Sequence, residues 1–286
     1  MLTATDVRYD LDDADVRRRV AEFLAAHPGQ TSRFISAVVG NDHPLANVGR
    51  TVERLTFEEA FGNDTAVMLA EYRPYEDRSL FFVIIDCADG VPAGAGRIVE
   101  GTGIGLKTVD DAPAHIGVPA EAILAAHGMT GEKAWDYTTV AVLPQYRGGQ
   151  SQLMVSSLIH RTFLVAGARA GVRHVVTMLD RRAYRNMAML GINLQPLAGS
   201  GPFPYLGSAE NRAVYCDFPG LTADIAARGE RLLGQRPIGD DAGALALLDQ
   251  PTRLISAMAC EQVGTGKGLD EHIILTDWSA PGGAPA

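Results

Sequence analysis

The chain has 286 residues, 47% of them hydrophobic and 21% charged, with a formal net charge of -9. That composition is ordinary for a globular protein, and the length allows a sizeable core in one large or two small domains. The acidic balance argues against a nucleic-acid backbone as partner, because phosphate neutralisation needs a basic surface.

In chain order, Asp12-Asp13 is a cap signal for a first helix, with Val16, Val20, Phe23 and Leu24 on one face and His27-Pro28-Gly29 as its stop. Residues 30–64 read as further helix and loop. Two strand-like runs follow at 66–72 and 79–86; the second, "SLFFVIID", is rich in β-branched and aromatic residues. "CADGVPAG" carries hairpin-turn signals, and "AGAGRIVE" returns as the next strand. The small residues Ala93 to Gly96 leave room for another group to approach the backbone. Residues 101–131 are rich in Gly and Ala, with a short helix expected over 121–127.

A strand over 135–143 leads through "LPQYRGGQSQ" into a helix that is apolar nearly all round and therefore buried, ending near Ala168. "GVRHVVTMLD" predicts a strand, followed by a helix over 181–190 stopped by Gly191. Strands at 193–197 and 213–218 flank a loop. The tail reads as two helices, one strand in "HIILTDW" and a disordered end, "SAPGGAPA". The expected class is α/β (an α+β mixed sheet) with helices on both faces. The expected division is an N-terminal helical extension (1–64), a core (65–219), a C-terminal helical addition (220–278) and a disordered tail (279–286). The C-terminal addition would cover a substrate or mediate dimerisation.

Cys87, Cys216 and Cys260 are scattered and form no CxxC pair, and no secretory h-region opens the sequence. No apolar run approaches the ~18 residues a membrane helix needs. A reducing, cytoplasmic setting without membrane contact is expected. No metal is expected, since the seven histidines never fall in a ligand spacing such as HxxxH. Arg17-Arg18-Arg19 and Arg181-Arg182 read as solvated faces. No G-x-S-x-G elbow supports serine hydrolysis, and Cys216 reads as a small core residue rather than a nucleophile. "GTGKG" and "GTGIG" lack the spacing of a P-loop or a dinucleotide fingerprint.

The stretch "TTVAVLPQYRGGQSQLMVSSLI" carries the chemistry. A strand feeding a glycine turn and a helix N-terminus makes a nest of N–H groups that favours anions. Arg147 adds charge, and Gly148 and Gly149 permit unusual backbone angles. Taken alone, a plain turn is the first reading of this stretch.

Hairpin strands, then a strand ending "VLPQYRGG", a buried helix, a strand, a short helix and "GIN" together resemble the GCN5-related N-acetyltransferase (GNAT) superfamily, over roughly residues 67–218. The resemblance implies a sheet splayed between its fourth and fifth strands, with acyl-CoA in the splay. The pantetheine would lie along Val140, Ala141 and Val142, and the phosphates would meet the backbone of Arg147, Gly148, Gly149, Gln150, Ser151 and Gln152. The family pattern Arg/Gln-x-x-Gly-x-Gly/Ala departs here, because Gln150 and Gln152 hold the glycine positions. The usual general-acid tyrosine falls at Met187 and the usual asparagine at Asp180; Tyr184, one turn earlier, is a substitute acid or a packing residue.

Loss of the glycines resembles the branch of acyl-homoserine-lactone synthases and N-acyl amino acid synthases, which use acyl carrier protein. "INLQPLAGSGPFPYLGSAENRAVYCDFPGL" is similar to that branch, whereas its Glu-x-Ser-Arg signature is replaced by "WDYTTVAV". The implied reaction moves an acyl group from acyl-CoA, or a phosphopantetheine-linked thioester on acyl carrier protein, to the amine of a small molecule or amino acid. Asp136 is the first candidate base, directly or through water, and its plainer role is a helix-cap partner or strand end. Glu71 is the runner-up, placed on an earlier strand. The Val140 to Val142 amides are oxyanion candidates, and Thr138 and Thr139 would line the substrate side. The alternatives are a catalytically silent binder of an acyl-thioester or partner protein, and a decarboxylase of a malonyl-type thioester.

Overall fold

Residues 7–147, 154–189, 192–224 and 271–276 are described by a computed structural model of the chain. Asp12 caps helix α1 (Asp13–Ala26): its carboxylate accepts from the Asp15 amide at 2.8 Å, and Val20 and Phe23 turn inward. Strand β1 (Phe34–Gly40) leads into α2 (Pro44–Phe61), which ends at Gly62 in the left-handed region, and α3 (Thr65–Tyr72) follows. β2 (Ser79–Asp86) and β3 (Val91–Gly101) form the expected hairpin. Then come α4 (Lys107–Ile116), α5 (Ala120–Ala126), β4 (Ala134–Val142), α6 (Met154–Ala170), β5 (His174–Asp180) and α7 (Arg181–Met189). The chain closes with β6 (Gln195–Pro196), β7 (Phe203–Tyr205), β8 (Ser208–Asp217) and β9 (Glu271–Leu275).

Among the described residues one mixed sheet takes the nine strands, in the order β6-β8-β5-β4-β3-β2-β1-β9, with β7 paired to β8. α6 packs on one face, with Val155, Leu158 and Ile159 against Phe82, Ala95 and Trp135. α1 and α2 pack on the other, with Val20, Phe23 and Leu45 against Ile35, Phe81 and Val83. Within "AGAGRIVE" the room left by small residues is taken by α6. A Cβ built on Gly94 would lie 2.7 Å from both Val155 Cγ1 and the Ala141 carbonyl, and one on Gly96 2.7 Å from Ile159 Cγ2. Gly94→Val is therefore expected to lower unfolding free energy by about 1–3 kcal/mol, as overpacking of a filled core does, read as a shift in urea midpoint.

Four segments depart from what their composition suggests. Residues 34–40, read as helix or loop, are β1; they pair with β2 and, in parallel, with β9, so part of the predicted N-terminal extension lies within the sheet. Residues 66–72, read as a strand, are helix α3. The Asp64 carboxylate accepts from the Val67 amide at 3.0 Å, and Met68 and Tyr72, one turn apart, are buried. α4 stands where only a Gly- and Ala-rich loop was expected. Its N-cap Leu106 supplies no capping side chain; the cap comes from Asp136 on β4. The expected strand at 193–197 shrinks to β6, and the loop after it contains the short β7. The strand expected in "HIILTDW" is β9; residues 218–224 are helical, where the first tail helix was expected to begin, and residues 225–270 and Gly191 fall outside the described residues.

Candidate active site

β4 and β5 are parallel and pair only at Ala134↔His174, Trp135↔Val175 and Asp136↔Val176. Beyond Asp136 the strands part. Thr177 makes a tie across the opening, its hydroxyl donating to the Tyr137 carbonyl at 2.7 Å. On its other side β4 stays paired with β3, but the register slips: Arg97 faces Thr139 while Ile98 faces Tyr137, so Thr138 is the extra residue of a β-bulge. The Leu143 amide bonds the Ala93 carbonyl. By the alternation of an antiparallel ladder, Ala141 also turns its backbone toward β3, and Val140 and Val142 turn theirs into the opening.

The opening holds a cavity of about 440 Å³, within the range of roughly 300–1,000 Å³ usual for small-molecule sites. Three groups of side chains line it. Thr56 and Phe57 of α2 and Arg147 stand at the end of β4. Tyr72, Lys107, Thr108, Asp111 and Tyr205 gather at the start of α4. An apolar lobe runs among α6, β5 and β8, walled by Phe163, Leu164, Val175, Cys216 and Leu221.

The residues singled out in the sequence divide. Val140, Val142, Thr138, Thr139 and Arg147 line the cavity; Ala141, Asp136, Glu71 and Tyr184 do not. Gly148, Gly149, Gln150, Ser151 and Gln152 lie outside the described residues. Arg147 ties its loop to α2 through Glu59 at 2.8 Å and Thr56 at 3.4 Å, and donates to the Val142 carbonyl. The Thr139 hydroxyl donates a hydrogen bond to Glu53. Glu71 is on helix α3, not on a strand. It sits one step behind the wall, accepting from the Tyr205 hydroxyl at 2.6 Å and pairing with Lys107. Tyr184 lies under the Arg212 guanidinium, 5.0 Å from its ring centre. Arg182, Ala183, Asn186 and Met187 of α7 line the cavity instead, so Arg182, read from the sequence as part of a solvated face, stands at the site. Asp180 caps α7 by accepting from the Ala183 amide at 2.7 Å.

Asp136 is fully buried. One oxygen accepts the Thr108 hydroxyl at 2.8 Å and the other accepts the Thr108 amide, so the carboxyl serves as the cap of α4. Burial pushes its pKa up to about 7, although both Thr108 bonds and the Lys107 charge oppose the rise.

Several wall residues had no sequence signal pointing to a site. His160 on α6 meets the Tyr137 hydroxyl at 3.2 Å inside the apolar lobe, and burial pushes its pKa down to about 4, so it is neutral at pH 7. Tyr137 stacks on Phe163 with ring centres 4.5 Å apart, and burial raises its pKa. Lys107 is held by Glu71, Asp111 and Tyr205. Cys216 behaves as a small wall residue: burial pushes its thiol up to about 12, far from a thiolate nucleophile. Among the described residues, no three His, Cys, Asp or Glu side chains converge as a metal centre would need.

The splayed mixed sheet is GNAT-like and is shared with solved structures. The N-acyl amino acid synthase FeeM from uncultured soil microbes matches 68% of this chain and 95% of its own, at 14% identity and a TM-score of 0.51. The CoA-dependent acyl-homoserine lactone synthase MesI matches 85% of this chain and 100% of its own, at 14% identity and a TM-score of 0.45. No protein-family model matches the sequence, and neither does any curated protein. At these identities the likeness is one of fold.

Proposed function

We infer that the protein transfers an acyl group from a thioester to the amine of a small molecule or amino acid. The thioester is borne by coenzyme A or by the phosphopantetheine of an acyl carrier protein. The observation that carries this reading is the parting of β4 from β5, which leaves the Val140 and Val142 backbone facing a cavity with one polar and one apolar end. An extended pantetheine arm can bond the part of that strand edge that Arg147, held on the Val142 carbonyl, does not occupy, much as another strand would. The apolar lobe accepts an acyl chain longer than acetyl. An amide aimed into the opening can hold the carbonyl oxygen as it gains charge, provided it lies near 3 Å from that oxygen. The fold shared with an N-acyl amino acid synthase supports an amino acid as acceptor.

The reaction joins the amine nitrogen to the thioester carbon and breaks the carbon–sulfur bond; the nitrogen loses a proton and the leaving sulfur gains one. One observation favours the silent alternative: Met187 faces the cavity where a tyrosine would protonate the thiolate, and Tyr184 is turned to Arg212.

The test incubates the protein with acetyl-, malonyl- and long-chain acyl-CoA and with acyl-loaded carrier protein, each with and without pooled amino acids. Free thiol and new amides are then measured. Thiol release that requires the amine, with the amide mass, is the expected result. CO2 from malonyl-CoA, with acetyl-CoA formed and neither thiol nor amide released, would support decarboxylation instead. Binding without turnover across the panel would overturn both catalytic readings.

A further inference from the structure

The start of α4 stands between the cavity and a buried carboxyl. Thr108 lines the cavity and is itself nearly buried, at 3% exposure. Its hydroxyl is bonded to Asp136, which has no opening of its own to the cavity and sits at the last pair joining β4 to β5. A cap of α4 needs only the bond from the Thr108 amide; the second bond, to a hydroxyl on the cavity wall, is more than a cap requires.

We propose that Thr108 is a catalytic residue of the acyl transfer, passing the proton of the acceptor amine to Asp136. The proposal rests on the acyl-transfer reading above. As the carbon–nitrogen bond forms, the Thr108 oxygen takes a proton from the nitrogen and releases its own to the Asp136 oxygen 2.8 Å away. When the carbon–sulfur bond breaks, the same pair returns a proton to the thiolate, so the protein ends as it began. Asp136 acts through Thr108 and is therefore the positioning partner and proton store, a refinement of its expected role as a base acting directly or through water. A hydroxyl serves this step where a direct carboxylate would not, because it both accepts and donates in one place.

The surroundings fit a base that works near neutrality. β3 and β5 set Val99 and Val176 beside Asp136, so its neighbours along the sheet are apolar. The charged groups facing it are Lys107 and Asp111 of α4, the first lowering and the second raising its pKa. Glu71 of α3 and Tyr205 of β7 meet the same lysine, and Tyr75 holds Asp110 at 3.2 Å on the neighbouring turn. Asp136 must be ionised to receive the proton. With its pKa raised to about 7, turnover is expected to rise as pH climbs through about 7 and to level above it.

The test compares kcat/KM between pH 5.5 and 9 for the full-length protein and for Thr108→Val, Thr108→Ser and Asp136→Asn, using the thioester and amine that the unaltered protein joins. Thr108→Val should lower kcat by about 100-fold, the low end of what acid–base groups contribute, while Thr108→Ser stays within about 10-fold. Asp136→Asn can still accept the Thr108 amide bond and donate to the hydroxyl, which favours folding; it should lose both rate and the acid limb near pH 7. Thr108→Val that keeps its rate and the acid limb overturns the relay. If Thr108→Val fails to fold, Asp136→Asn with unchanged rate and pH profile overturns it equally. No amide from the unaltered protein with any donor and amine overturns the acyl-transfer reading, and the relay with it.

Discussion

Replacing Arg97 by methionine is expected to lower unfolding free energy by about 3–5 kcal/mol, the range seen when one partner of a buried ion pair is removed. Arg97 is 0% exposed. Its Nε and Nη2 reach the two Glu53 oxygens at 3.1 and 2.7 Å, and Nη2 also donates to the Tyr9 hydroxyl at 2.7 Å. Glu76 accepts from it at 3.4 Å and from Arg50 at 2.6 Å. Burial opposes a charge here, but Glu53, Tyr9 and Glu76 hold Arg97 ionised. Two arginines and two glutamates balance; without Arg97 one carboxylate is left uncompensated in a core that excludes water. The rings of Tyr72 and Phe81, 4.1 and 4.5 Å from the guanidinium, also lose their cation.

Urea denaturation reads the loss, and the pair Arg97→Met with Glu53→Gln tests its origin. If the unpaired charge is the cause, the double variant recovers part of the loss, with a coupling energy of about 0.5–3 kcal/mol. A single-variant loss below about 1 kcal/mol, the scale of an exposed pair, would show that the network contributes little. The same network reaches the cavity, because Glu53 accepts the hydroxyl of Thr139 beside the bulge of β4. Arg97→Met is therefore expected to disturb the parted strand edge as well as stability.

What was legible in the sequence follows from how local each cause is. β2, β3, β4 and β5 are written by their own apolar residues, and α1 by its Asp12 cap. α3 misleads because Ala66, Val67, Met68 and Leu69 are dense and apolar; Asp64, three residues before Val67, was the available sign of a helix start. α4 was unreadable because its cap arrives from Asp136, 28 residues along the chain. The site divides in the same way. The splay, and the presence of Val140, Val142 and Arg147 on the cavity wall, were reachable through family resemblance. Thr108 and Lys107 had no local mark, and Lys107 meets Tyr205 across 98 residues. Tyr184 stands off the cavity wall, under Arg212, because one turn of α7 decides which side chains face the cavity, and the resemblance left a choice between Met187 and Tyr184.

Cys216→Trp is the sharpest test of what the apolar lobe holds. Cys216 on β8 pairs with Val175 on β5, and both line the lobe with Phe163 and Leu164 of α6. An indole at that position takes space otherwise open to the far end of an acyl chain. Each buried methylene contributes about 0.8 kcal/mol, so excluding about three of them costs about 2.4 kcal/mol, roughly 60-fold in kcat/KM. The loss should fall on long-chain thioesters, while acetyl donors, which do not reach the lobe, change far less. The ratio of the two is the quantity to measure, because overpacking costs about 1–3 kcal/mol of stability and lowers both rates alike. A ratio unchanged from the unaltered protein, in a variant that folds, would place the acyl chain elsewhere. A ratio shifted toward short donors would assign the lobe between α6, β5 and β8 to the acyl chain and leave the Lys107, Thr108 and Tyr205 end for the acceptor amine.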